Sequence, residues 1–282
     1  MAIRPRPRRL AEEGGESSFV SVTDLTVSFL FVILVLLAFF ATEVRPDAEE
    51  TESEPLAAYL ESTAETRLRV LELIAGRLRE ALPGLRISVV AGDGIIRLES
   101  DELFGSGQWR IADGSTPDRV ARALGDALAE TLPCYTFGPP PAAPENCEDV
   151  LAAIETIQIE GHTDDEPLSL ALREKQQMRD NLDLSARRGA ETLRAMTERY
   201  RSELMDFRNL RGEPVLSFAG YGAMRPIDSH QTEAGRAANR RVDIRFILQT
   251  PQSLDQVERI RDQLTRQREG LPAIAVDDRS PA

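Results

Sequence analysis

Residues 154–164 read Ile-Glu-Thr-Ile-Gln-Ile-Glu-Gly-His-Thr-Asp. The segment from Ile154 to Glu160 has the composition of a strand, and everything around it can be ordered from there. Downstream, the spacing predicts a long helix from about Leu184 into Asn209, then strands at 214–219 and 242–248. Upstream, strands at 85–90 and 94–99 are joined by Ala91-Gly92-Asp93, a hairpin signal, and a helix follows over about 116–132. This order predicts an α+β domain, a mixed sheet with helices packed on one side. From Pro251 the chain is Gln- and Arg-rich, with helical character to Glu269.

Before the first strand, 55–82 has helical spacing. Leu60, Ala64, Leu68, Leu71, Ile74, Leu78 and Leu82 recur every three or four residues, with charged residues between them, until Pro83-Gly84 stops the pattern. One apolar stripe on a charged helix calls for a partner surface: the next domain, a second copy of the chain, or a membrane.

Further towards the N-terminus, the 22 residues from Val20 to Ala41 hold a single ionisable group, Asp24. As a helix they would reach roughly 33 Å, enough to cross a bilayer. A cleaved signal peptide is the main competitor, but its apolar region is usually about 7 to 15 residues and ends in small residues. Here the run is longer and carries Phe39-Phe40 at its end. Arg4, Arg6, Arg8 and Arg9 precede it, and Asp47, Glu49, Glu50, Glu52 and Glu54 follow. Basic flanks stay cytoplasmic, so the reading is an N-terminal transmembrane helix with its N-terminus inside and the α+β domain outside, in a bacterial periplasm.

A carboxylate inside such a helix costs about 2.5 kcal/mol or more at the bilayer centre on insertion scales. Ser21, Asp24 and Ser28 fall at i, i+3 and i+7 and make one polar face. The functional reading is an acid that is loaded and unloaded as ions pass, with partner helices completing the path. The alternative is an acid near the boundary that snorkels to the interface.

Composition narrows the rest. Of 282 residues, 34 are basic and 47 acidic, a net charge of -13, which argues against a chain that binds nucleic acid directly. Two Cys and two His make structural zinc improbable, and there is no nucleophile motif or phosphate loop to argue for an enzyme. Cys134 and Cys147 flank a loop with Pro133, Pro139-Pro140-Pro141 and Pro144. In an oxidising compartment a disulfide there would remove roughly 3 kcal/mol of loop entropy from the unfolded state. Two free thiols are the alternative.

Four ordered motifs carry a resemblance. They are Ile159-Glu160-Gly161-His162-Thr163-Asp164; Asn181 with Leu184-Ser185-Ala186-Arg187-Arg188; Gly220-Tyr221-Gly222 with Pro226; and Asn239-Arg240-Arg241-Val242-Asp243-Ile244. Together they resemble the signature of OmpA-like peptidoglycan-binding domains over roughly 94–248, the segment 94–107 with Glu102-Leu103-Phe104 matching the opening strand and turn. The resemblance implies a pocket in which an Asp and an Arg hold the ammonium and carboxylate of diaminopimelate, at the positions of Asp164 and Arg188. Thr163, Asn181, Asn239, Arg240 and Arg241 are the further binding residues it implies. His162 reads as packing or a backbone hydrogen bond. The stretch 165–180 is longer than the family's usual loop.

Joined to an N-terminal span bearing an acid, such a domain resembles the B subunits of ion-driven stators, the family of the flagellar MotB proteins. That resemblance implies a homodimer inside a pentamer of multi-span A subunits, Asp24 as carrier of a proton or sodium ion, no other cofactor, and a plug or linker over about 47–82. Where flagellar members have Tyr-Ala-Asp-Phe this chain has Val22-Thr23-Asp24-Leu25, and the cysteine loop is atypical. Those departures favour the ZorB stator subunits of Zorya anti-phage systems. A passive tether between wall and membrane, and an energy-transducing subunit of the TolR or ExbD kind, are the competing classes. The expected organisation is a cytoplasmic tail over 1–19, the span over 20–41, a linker helix region over 42–84, the wall domain over 85–250 and a tail over 251–282.

Overall fold

The computed structural model describes the backbone of residues 16–43, 47–99, 103–105, 107–138, 147 and 152–269, and their side chains except at 16–23, 41–43, 47–55, 99 and 268. Arg4, Arg6, Arg8, Arg9, Glu102 and the Pro139–Pro144 run lie outside the described residues. The chain divides into two compact units, Met1–Ser53 and Glu54–Ala282.

In the first unit, helix α1 (Glu16–Glu43) covers the apolar run. Its described side chains, from Asp24 to Phe40, are all exposed, among them Leu25, Phe29, Phe31 and Leu34. Among the described residues no helix is long and apolar enough to cross a membrane.

The second unit is built on a five-stranded sheet of β1 (Ile87–Val90), β2 (Ile95–Glu99), β3 (Ile154–Gly161), β4 (Leu216–Gly220) and β5 (Arg241–Leu248), in the order β1-β2-β5-β3-β4. Only β3 and β4 run parallel, so the mixed sheet predicted from the sequence is present. Ile96, Ile244 and Ile159 lie in one cross-strand row. With Leu98, Val242, Phe246 and Ile157 they form the apolar face. The helices that supply the other half of this core are α2 (Asp47–Ala81), through Val70, Leu71, Ile74 and Leu78, and α3 (Thr116–Thr131), through Val120, Leu124 and Leu128. Alternation puts Arg97, Asp243 and Glu160 in a row on the opposite face.

Helix α2 departs from the expected organisation. The segment 42–84 reads as a linker because its charges hide how much of its stripe is core. In the structure Leu71, Ile74 and Leu78 are fully buried under the sheet, whereas Leu60 and Leu68 are exposed. The second unit therefore begins before residue 85. It also extends past 250: helix α7 (Leu254–Arg268) buries Val257, Ile260 and Leu264 against Tyr59 of α2, Phe137, Ala152 and Ala153. Cys134 and Cys147 form a disulfide, and Cys134 packs against the sheet's core. Phe137 N–H donates to Arg208 O at 2.8 Å and Ile154 N–H to Tyr135 O at 2.7 Å.

Two short helices fall where the sequence analysis placed no helix, α4 (Leu170–Gln176) and α6 (Glu233–Asn239). The long helix expected into Asn209 is shorter. Helix α5 (Asn181–Arg194) gives way to a π-helical turn over Ala195–Tyr200 and a 3-10 turn over Ser202–Asp206. The wider turn brings Tyr200 Oη onto Asp118 Oδ1 at 2.6 Å and Arg199 Nη1 onto the same oxygen at 3.1 Å. These contacts hold the end of α5 to the start of α3.

Candidate functional site

Helix α5 seats directly on the ends of β3 and β4, because glycines stand where it crosses them. A Cβ on Gly161 would come within 2.1 Å of Ser185 O, and one on Gly220 within 2.4 Å of Ala186 N. Asp180 caps the helix, accepting from Asp183 N–H at 3.0 Å. The close seating carries Arg188 under the loop that leaves β2 and sets Asn181 beside the residues following β3.

The result is a cleft of about 600 Å³. Thr163 and Asp164 come from the end of β3, Asn181, Leu184 and Arg188 from α5, Phe104, Gly105 and Gly107 from the stretch after β2, Glu233 from α6 and Arg240 from its junction with β5. Glu166 to Ser169 and Leu172 form the remaining wall, so part of the long stretch after Asp164 lines the site. Leu172 of α4 occupies the space a side chain at Gly107 would need.

Within the cleft, Asp164 Oδ2 accepts from Arg240 Nη1 at 2.8 Å and Oδ1 from Glu166 N–H at 3.3 Å. Arg240 Nη2 donates to Glu233 Oε1 at 2.9 Å. Asn181 Nδ2 donates to the carbonyls of Asp164 and Glu166 at 3.1 and 2.8 Å, fixing the chain that bears the acid. Arg188 is 2% exposed. Its Nε donates to Gln108 O at 3.0 Å and Nη2 to Gly105 O at 3.2 Å, and its guanidinium lies 5.3 Å from the centroid of Phe104. Arg188 thus holds Gly105 and Gln108 as well as lining the cleft.

Of the residues assigned from the sequence, Thr163, Asp164, Asn181, Arg188 and Arg240 meet in this cleft. Asn239 and Arg241 do not line it. Asn239 is buried and organises the preceding loop, its Oδ1 accepting from Ile227 N–H at 2.7 Å and Asp228 N–H at 3.1 Å. Arg241 points to the other face of the sheet, with Nε on Asp243 Oδ2 at 2.9 Å. Asn239 ends α6, Arg240 is the junction and Arg241 opens β5, which is why neighbours in one motif separate here. Glu166, Glu233 and Leu172 line the cleft without having been assigned. The pairing of Glu233 with Arg240, seven residues on, was visible only once α6 was known to be helical. On α1, Asp24 and Ser28 have exposed side chains, and Ser21 falls where only the backbone is described.

The far face of the sheet carries a second charged group. Glu160, His162 and Asp243 offer ligand atoms within 4.8 Å of one another, the spacing of a metal site. Arginines already occupy those oxygens. Arg245 forks onto Glu160 at 2.7 and 3.1 Å, and Arg97 onto Asp243 at 2.9 and 3.1 Å, with Arg241 beside it. Three guanidinium charges around two carboxylates do not suit a divalent cation. Burial alone would raise the Glu160 carboxyl, but His162 and Arg245 outweigh it and bring it to about 2.

No family model and no curated protein matches the chain. Among solved structures, a putative MotB-like protein from Desulfovibrio vulgaris is similar at 22% identity over 70% of this chain and 99% of that one, with a TM-score of 0.45. The cell wall anchor of the T6SS from Pseudomonas aeruginosa is similar at 19% identity over 62% and 92%, with a TM-score of 0.38. The periplasmic domain of Helicobacter pylori MotB is similar at 20% identity over 58% and 86%, with a TM-score of 0.36. Overlaps of this size identify neither the family nor the ligand.

Proposed function

We propose that this chain is the wall-anchored B subunit of an ion-driven stator in a bacterial inner membrane. Its N-terminus is cytoplasmic, residues 20–41 cross the membrane, and the second unit grips peptidoglycan in the periplasm. Two copies stand within a pentameric multi-span A subunit. Asp24, with Ser21 and Ser28 on its face, carries the proton or sodium ion. The rotation serves anti-phage defence of the Zorya type, as in ZorB proteins.

The observation that carries the wall-binding reading is the cleft itself. Side chains from three motifs separated by tens of residues converge there with both signs of charge, which is what a zwitterionic amino-acid end requires. The membrane reading is supported by the exposed apolar side chains from Leu25 to Phe40, a helix surface that water does not favour. A passive tether is the second reading. It is favoured by α2, most of whose apolar stripe is committed to the core and so is not free to plug an ion path.

Sedimentation of the chain with purified peptidoglycan tests the anchor. Asp164→Asn removes one charge-assisted contact, about 1.5–3 kcal/mol, so affinity should fall roughly tenfold or more. Undiminished sedimentation of a folded Asp164→Asn protein would remove the cleft from wall binding.

A further inference from the structure

The acid that a cationic ligand group needs is already occupied. Both oxygens of Asp164 are engaged, Oδ2 by Arg240 and Oδ1 by the Glu166 amide. Asp164 is buried, so a second cation cannot simply be added beside the first without crowding two positive charges on one carboxylate. Arg240, however, already has another anion within reach. Its Nη2 donates to Glu233 Oε1, and Glu233 is exposed, on a different element from Asp164. Arg240 itself sits at the junction of α6 and β5, where helix and sheet fix its backbone and leave only the side chain to move.

We infer that Arg240 is a latch on the cleft: its guanidinium holds the place on Asp164 that a ligand's primary ammonium takes, and Glu233 is the seat to which it withdraws. The inference rests on the peptidoglycan reading and deepens it. Binding is then an exchange, one charge-assisted contact on Asp164 replaced by another, so the affinity is set by the difference between two cations. A ligand without an ammonium has nothing to offer Asp164 and leaves the latch shut. Glu233 aids opening by receiving Arg240. Arg236 shares Glu233, with Nε and Nη2 at 3.0 and 2.7 Å from Oε2, and so tunes how well it does so.

The test uses the full chain in detergent micelles and calorimetric titration with a soluble stem peptide bearing a free diaminopimelate amine. The same peptide acetylated at that amine is the control. Arg240→Gln should bind the free-amine peptide about tenfold more tightly than the parent and leave the acetylated peptide unchanged. Glu233→Gln, at an exposed position that does not threaten the fold, should weaken binding several-fold in the parent and have no effect in the Arg240→Gln background. Weaker binding by a folded Arg240→Gln protein would overturn the latch and make Arg240 a direct ligand contact. A Glu233→Gln loss that persists without Arg240 would overturn it as well, by placing Glu233 on the ligand. Binding of neither peptide by the parent or by Arg240→Gln would take down the peptidoglycan reading itself.

Discussion

The imidazole of His162 stacks on the ring of Tyr221 with centroids 5.3 Å apart, and neither of its nitrogens makes a hydrogen bond. Nε2 is 3.7 Å from both Glu160 Oε2 and Asp243 Oδ2. Arg241, Arg245 and Arg97 complete the ring of charge around those acids, and Arg225 lies over the other ring, 3.7 Å from its centroid. Burial pushes His162 below its ordinary 6.5; Glu160 opposes the shift and Arg241 adds to it. A histidine with a depressed folded pKa binds its proton more readily when unfolded. Stability is therefore complete above about 6.5 and is lost as the pH falls towards the folded value, with a slope of up to about 1.4 kcal/mol per pH unit. Glu160, at about 2, adds a second loss between 4.5 and 2. Urea denaturation from pH 5 to 8 should show the first slope, and His162→Gln should flatten it; an unchanged slope in that variant would assign the acid sensitivity elsewhere.

Much of this arrangement was legible in the sequence, and the exceptions share a cause. The strands could be located because Ile157, Ile159, Val242 and Ile244 alternate with polar residues, and alternation is a local signal. The partition of α2 was not legible, since Leu68 and Leu71 look alike in a helical stripe, while only the tertiary position of the sheet decides that one is exposed and the other buried. The same limit separates Arg240 from Arg241. Adjacent in one motif, Arg240 caps the end of α6 and bonds Asp164 while Arg241 opens β5 and bonds Asp243, and the motif alone does not say where the strand starts.

Reduction of the Cys134–Cys147 disulfide should cost about 3 kcal/mol on the loop-entropy account. The loss should be global rather than local, because residues beside the bridge pack with α7 and pair with the chain at Arg208. Replacing both cysteines with serine should lower the urea midpoint by the same amount as reduction of the parent, and reduction should then have no further effect. An equal midpoint for parent and double variant would show the bridge to be energetically idle.

Asp24→Asn keeps volume and hydrogen bonding but cannot release a proton. If Asp24 is the carrier, proton flux into vesicles holding the chain and its multi-span partner should fall to the background of empty vesicles, with co-purification of the two proteins unchanged. Flux equal to the parent's at equal membrane abundance would leave the passive tether as the better reading.

Helix α2 separates two roles that its sequence pattern merges. Val70, Leu71, Ile74 and Leu78 are in the core, so Leu71→Ala should destabilise the folded unit by about 2–5 kcal/mol, and a deletion over 47–71 should lose the fold rather than open a channel. A plug or a dimer contact has the exposed Leu60, Leu68 and Leu73 to use, and Leu60 and Leu68, at 45% and 46% exposure, are the two on the helix's apolar stripe. Changing both to glutamate places charges on a helix surface that already faces water, so the urea midpoint should move by less than the equivalent of about 1 kcal/mol. In cells co-expressing the partner, a plug predicts acidification and slow growth for Leu60→Glu/Leu68→Glu, relieved by adding Asp24→Asn, whereas a dimer contact predicts a monomer in detergent without toxicity. A double variant that is stable, dimeric and harmless would remove Leu60 and Leu68 from both roles and leave α2 its part in the core of the second unit.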